Sequence, residues 1–147
     1  MLGGRLCTVS LRMNRQSKNA QRLAEALHGN AKLSRVLYPT LFDDPEQIRI
    51  FRAQCDYPGA LFSLDFKGGT LAAFTFLRNL RIARNAVSLG GVETLACHPK
   101  TTTHSGMSPR ELEEAGIGDG LVRVSVGIED WRDLLVDFEQ ALDTVAS

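Results

Sequence analysis

The sequence predicts an α+β domain in which a mostly antiparallel sheet carries helices on one face. Two segments, 60–66 and 121–126, alternate apolar and polar residues with the period of a half-buried strand. Other segments repeat apolar residues at i, i+3, i+4 and i+7, the signature of a helix with one buried stripe. Several connections between strands have hairpin length, so neighbouring strands are expected to run antiparallel.

Taken in order, residues 15–28 read as a helix through the stripe Ala20, Leu23, Ala24 and Leu27, with Gly29 as its stop. It begins without an obvious cap, as if continuous with something longer, and Leu6, Val9 and Leu11 either extend it or pack on something outside it. Val36-Leu37-Tyr38 is a short strand ended by Pro39. Asp44 caps a helix with Pro45 at its first position and Gln47 at the third, and Ile48 and Phe51 are expected to face inward. In 60–66, Phe62, Leu64 and Phe66 share one face. A helix over 70–83 presents Leu71, Phe74, Leu77 and Leu80. Residues 86–89 and 93–97 are expected as strands around the turn at Gly90-Gly91. Ser108, Pro109 and Glu111 spell a capping box, and Gly116 ends that helix. Val122, Val124 and Val126 line the strongest strand, with Arg123 and Ser125 on its opposite face. Asp130 caps a last helix whose stripe runs Trp131, Leu134, Leu135, Phe138, Leu142 and Val145, all expected to be buried. The more polar sheet face is expected to meet a partner.

Composition narrows the function classes. Seventeen Lys and Arg balance seventeen Asp and Glu, which argues against nucleic-acid binding through phosphate neutralisation. No apolar run approaches the roughly 20 residues that span a bilayer, and Met1-Leu2-Gly3-Gly4-Arg5 lacks the apolar core of a signal peptide. The three cysteines, Cys7, Cys55 and Cys97, are odd in number and widely spaced, fitting reduced thiols in a cytoplasmic protein.

Arg123 is the first candidate for chemistry. A guanidinium in the middle of a valine-rich strand is costly unless it meets an anion. Spacing leaves two readings open: a fork for a carboxylate, or a structural ion pair. Ser88-Leu89-Gly90-Gly91 is the second candidate, either a place where another group approaches the backbone closely or a simple turn. Cys97, His98 and His104 match no familiar zinc spacing, and no metal site is expected. Among the four lysines, Lys18, Lys32, Lys67 and Lys100, none has the context of a desolvated Schiff-base amine.

The run from Ala86 to Leu95, then His98-Pro99, Thr103-His104-Ser105 and the run from Gly120 to Asp130, resembles the C-terminal domain of the Cys/Met metabolism family of pyridoxal-phosphate (PLP) enzymes. That family includes cystathionine γ-synthase, cystathionine lyases, methionine γ-lyase and the homoserine-ester sulfhydrylases. Arg12-Met13-Asn14-Arg15-Gln16 with Asn19-Ala20, and Val36-Leu37-Tyr38-Pro39, resemble the helix and strand leading into that domain. The likeness covers nearly the whole chain, in order.

The resemblance implies that Arg123 binds the substrate α-carboxylate, that Ser88 assists there, and that Leu89 is its neighbour. Thr103 and His104 lie in a motif loop and receive no catalytic role. It also implies a linking helix region over 1–30, a small C-terminal domain over 31–147, and a PLP-binding N-terminal domain absent from this chain. The motifs for the Schiff-base lysine, the phosphate loop, the pyridine-nitrogen partner and the stacking aromatic belong to that absent domain. PLP is therefore expected in the intact parent enzyme and not on this chain alone, which would hold no catalytic residue. The expected partners are an amino acid substrate, the missing domain and further copies of the same protein; neither nucleic acid nor membrane is among them. The competing expectation is a non-catalytic amino-acid-binding or dimerisation module, because the order from residue 60 onward reads βαββαβ.

Overall fold

The computed structural model describes residues 6–146; the reading of Met1 to Arg5 lies outside the described residues. The elements are α1 (Val9–Leu27), β1 (Leu33–Leu37), α2 (Pro45–Gln54), β2 (Leu61–Phe66), α3 (Gly69–Asn79), β3 (Arg84–Asn85), β4 (Leu95–Cys97), α4 (Pro109–Glu114), β5 (Leu121–Ser125) and α5 (Trp131–Asp143). The five strands form one sheet in the order β1-β2-β5-β4-β3. Three of the four pairings are antiparallel, and β3 runs parallel to β4. Of the described residues, no helix is long and apolar enough to cross a membrane.

The alternation in β2 and β5 works as the sequence implies. Phe62 lies opposite Val124 and Leu64 opposite Val122, so one face of the pair is wholly apolar. Helices α1, α3 and α5 close over it through Leu23, Leu27, Phe76, Leu77, Leu134, Phe138 and Leu142, all buried. Phe138 sits at the centre, with ring centroids 5.6 Å from Phe76 and 6.4 Å from Phe62. Burying a side chain of this size stabilises the fold by about 1.5–3 kcal/mol.

Several expectations are corrected. Helix α1 starts at Val9, six residues earlier than expected, because nothing between there and position 28 breaks a helix. Leu6, Val9, Leu11 and Met13 remain exposed. Helix α2 has the expected cap, Asp44 accepting the Glu46 N–H at 2.8 Å, but it lies on the surface: Ile48 and Phe51 are only half-buried. Helix α3 stops at Asn79, and its buried residues are Ala72, Ala73, Phe76 and Leu77. Leu71 points to solvent and is 78% exposed; the two alanines, small enough to let helix and sheet approach, define the inward side. The capping box at Ser108 forms in full. Trp131 is half-buried, not core. The guanidinium groups of Arg22 and Arg132 stack on its ring, 5.3 and 5.2 Å from the centroid.

The largest correction concerns residues 86–94. A strand over 86–89 turning into 93–97 would make an antiparallel hairpin. Instead β3 stops at Asn85 and β4 runs in the same direction beside it. Two adjacent parallel strands need a return crossing between them, and 86–94 is that crossing. Gly90 takes φ +74°, a left-handed conformation that favours glycine. The sheet order also differs from a split βαβ unit, in which one strand separates the two members: both β5 and β4 lie between β2 and β3.

On the second sheet face, Leu37, Ser63, Arg123 and Cys97 fall in one row across the strands. Arg35 and Asp65 form an ion pair at 3.1 Å in the next row.

Candidate functional site

The return crossing 86–94 passes over the second face where Arg123 stands. Arg123 Nη2 donates to the carbonyl oxygens of Val87 at 2.7 Å and Ser88 at 3.2 Å. The structure thus brings together Arg123 and the serine before the diglycine, two residues 35 positions apart. It also modifies the expected fork: one amino group of the guanidinium, Nη2, holds the loop. Nε is buried and has no hydrogen-bond partner among the described residues. A buried donor left unpaired costs about 1–3 kcal/mol, so this position calls for an acceptor. Ser88 is exposed, its hydroxyl and amide without a partner among the described residues, and Leu89 beside it is 53% exposed.

The crossing makes no ladder bonds past the Ala86 N–H to Ala96 O contact at 3.0 Å. The Ile128 N–H reaches Val92 O at 2.9 Å, and side chains hold the stretch between. Gly90 N–H donates to Ser125 Oγ at 3.1 Å. Gln16 of α1 donates from Nε2 to Gly91 O at 2.6 Å. Downstream, the Glu129 carboxylate accepts both the Thr94 N–H at 2.6 Å and the Thr94 hydroxyl at 2.9 Å, and Thr94 Oγ1 accepts the Gly127 N–H at 2.9 Å. Asn19 completes the frame, its Nδ2 donating to Glu129 O at 2.8 Å and Gly127 O at 3.3 Å. A Cβ at Gly127 would come within 2.2 Å of Val92 O, so only glycine lets the crossing lie this close to the exit of β5.

The sequence reading missed Gln16, Asn19, Thr94 and Glu129. One signal was available: Gln16 and Asn19 continue the stripe of Ala20 and Leu23 toward the helix start. Both are fully buried, and a polar side chain on a buried stripe needs a specific partner.

The remaining candidates serve the fold. Buried His98 contacts Asp119 O through Nε2 at 2.8 Å and Thr101 Oγ1 through Nδ1 at 2.9 Å, with Phe74 edge-on. His104 lies against the Thr103 hydroxyl. Among the described residues no three His, Cys, Asp or Glu side chains are placed to hold a metal ion. The cysteines are unpaired, Cys97 buried and the other two exposed.

No lysine stands as a desolvated amine. Lys32 Nζ donates to Leu142 O at 2.7 Å and Lys67 Nζ to Ala31 O at 2.8 Å, while Lys18 is exposed. Lys100 pairs with Asp119, whose carboxyl it holds below the usual range. An aldehyde cofactor needs a lysine kept from water, so the described residues do not fit a PLP-holding site; they fit the recognition of an anion at Arg123.

Known proteins align with this arrangement over almost all of the chain. It is 44% identical over 138 residues to an L-methionine gamma-lyase of Fusobacterium nucleatum subsp. polymorphum, covering 94% of this chain and 35% of that protein. It is 39% identical over 135 residues to an O-succinylhomoserine sulfhydrylase of Pseudomonas aeruginosa, covering 92% and 33%. The crystal structure of a cystathionine gamma lyase from Micromonospora echinospora superposes with a TM-score of 0.85 at 40% identity, over 92% of this chain and 35% of that one. The chain thus spans about a third of the length of the relatives it matches. The model of the Cys/Met metabolism PLP-dependent enzymes matches residues 2–143, nearly the whole chain: the chain belongs to the Cys/Met metabolism PLP-dependent enzyme family.

Proposed function

We propose that this chain is the C-terminal domain of a PLP-dependent transsulfuration-type enzyme and that it supplies the site for the substrate α-carboxylate. The parent reaction is elimination or replacement at the β- or γ-carbon of a sulfur amino acid or a homoserine ester. Arg123 anchors the carboxylate through its guanidinium, with the Ser88 hydroxyl and amide beside it and Leu89 forming the adjoining apolar edge. The observation that carries this reading is the Arg123 guanidinium, bonded through Nη2 to the loop that presents Ser88, with a buried Nε that has no acceptor among the described residues.

Residues 1–30 link and residues 31–147 form the small domain. PLP and the Schiff-base lysine reside in the larger N-terminal domain, and this chain alone binds no cofactor. The apolar side chains left exposed around the crossing, Val87, Leu89, Val92 and Ile128, support a surface that the larger domain covers. The intact enzyme is a cytoplasmic homo-oligomer in this reading.

The test is Arg123→Ala in the intact enzyme. Losing a charged, hydrogen-bonded anchor should raise KM strongly and lower kcat/KM by the equivalent of about 2–4 kcal/mol. An unchanged kcat/KM would remove the assignment. Adding PLP to this chain alone tests the division of labour: a Schiff-base absorbance band abolished by substituting one lysine would move the cofactor into this part of the protein.

A further inference from the structure

We infer that Gln16 and Ser125 are positioning residues for the α-carboxylate site: they set the loop that Arg123 and Ser88 share. The inference rests on the carboxylate reading of Arg123 and adds residues that touch neither substrate nor cofactor.

Between Ala86, whose N–H reaches Ala96 O, and Val92, whose carbonyl accepts the Ile128 N–H, the crossing makes no backbone–backbone hydrogen bond among the described residues. Its residues from Val87 onward are exposed, and no ladder holds them between β3 and β4. A loop of this kind would sample many conformations, and Ser88 would be ordered only at the expense of binding. Two buried side chains restrict it immediately downstream of Ser88. Ser125 Oγ, from the strand that carries Arg123, accepts the Gly90 N–H, and Gln16 Nε2, from α1, donates to Gly91 O. Ser125 is 1% exposed and Gln16 fully buried. Among the described residues the Gln16 side chain has no other bond, and its Oε1 is buried without a partner. Burying a primary amide and using only its donor is unfavourable in itself, and the one thing this arrangement accomplishes is to fix Gly91. Arg123 closes the frame from the upstream side by binding Val87 O and Ser88 O. Ser88 is therefore held between Arg123 on one side and the Ser125–Gln16 pair on the other. A loosened loop would move Ser88 and withdraw the carbonyls that orient Arg123 Nη2.

The experiment is a set of variants of the intact holoenzyme: Gln16→Leu, Ser125→Ala, Arg123→Ala and the double variants with Arg123→Ala. Gln16→Leu and Ser125→Ala should each raise KM for the amino acid substrate about tenfold, the scale of one lost hydrogen bond, with kcat within about twofold. The inhibition constant of the decarboxylated amine, which lacks the recognised group, should not change. In the Arg123→Ala background the same substitutions should add less than about twofold, since residues acting through one site are not additive. An unchanged KM in both single variants overturns the inference, as does an equal loss of affinity for the decarboxylated amine or a full tenfold effect in the Arg123→Ala background. Should Gln16→Leu not accumulate as folded enzyme, Gln16→Met, which is close in size and has no donor, and Ser125→Ala decide the matter. If Arg123→Ala itself leaves KM unchanged, the carboxylate reading fails instead, and the two failures are told apart.

Discussion

Within β5, successive residues belong to two different environments. Val122 and Val124 are wholly buried among rings and aliphatic chains of three helices. Arg123 and Ser125, one position away, face a loop that they hold by three hydrogen bonds, two from Arg123 and one to Ser125. The first environment is cohesive because each atom has many weak contacts, so no one of them is decisive. The second depends on a few directional contacts, each of which matters to the position of one loop. In the proposed reading, stability and recognition are thereby separated across the thickness of a single strand. Substitutions on the helix side should change how firmly the chain folds, and those on the loop side should change what it recognises.

The largest expected effect sharpens the first half of that contrast. Phe138→Ala removes the ring that meets both Phe62 and Phe76 and leaves a cavity that the sheet and helices cannot collapse to fill. Unfolding in urea should show a loss of about 3–5 kcal/mol. A loss below about 1 kcal/mol would mean that the helix layer is not the source of cohesion.

A somewhat smaller effect tests whether the edge of the core is as dry as its centre. Tyr38 is 1% exposed, with its hydroxyl donating to Gly59 O at 2.8 Å. Burial pushes its pKa from the ordinary 10 up to about 12; the hydrogen bond at Ser17 opposes the shift and the charge of Glu25 adds to it. The folded pKa lies above the unfolded one, so the stabilisation is fully present below pH 10 and is lost as pH rises through 12. Up to about 2–3 kcal/mol should disappear over that window. Other groups titrate there too, so the measurement is the difference between the wild-type chain and Tyr38→Phe, followed from pH 9 to 12. A difference that does not change with pH would place the phenol in contact with water.

The same contrast explains what was legible in the sequence. Alternation in β5, the stripe of α5 from Leu134 onward and the Ser108 capping box are local signals, and each element forms where those signals put it. Arg123 was legible because a charge inside a valine run is conspicuous. Residues 86–89 were misread because a short run of apolar character does not reveal the direction of its neighbour: only the parallel pairing of β3 with β4 makes it a crossing rather than a strand. Leu71 and Trp131 were misplaced because a stripe fixes a helix face only to within a residue or so, and small alanines can form the closer contact. Gln16 was missed because its partner, Gly91, lies 75 positions away. The site is a product of tertiary contacts, and tertiary contacts are what periodicity does not encode.

The smallest effect reads the boundary between the two environments directly, one amide at a time. In hydrogen exchange, Val122 and Val124 should be protected nearly to the level of global unfolding, since β5 is paired on both sides and covered by helices. The amides of Val87, Ser88, Leu89 and Gly91 have no acceptor among the described residues and should exchange close to the unprotected rate. Gly90 is the informative position. Its N–H is given to Ser125 Oγ, so it should be slower than both neighbours although all three sit on the same exposed loop. Ser125→Ala should bring Gly90 to the rate of Gly91 while leaving Val122 and Val124 untouched, because the hydroxyl holds the loop and contributes nothing to the packed face. If Ser125→Ala speeds exchange in β5 as well, the strand does not separate the two environments, and a change made for recognition is felt in stability. If Gly90 exchanges as fast as Gly91 in the wild type, the loop is not held by the side chain beneath it, and the separation extends further than the hydrogen bonds suggest.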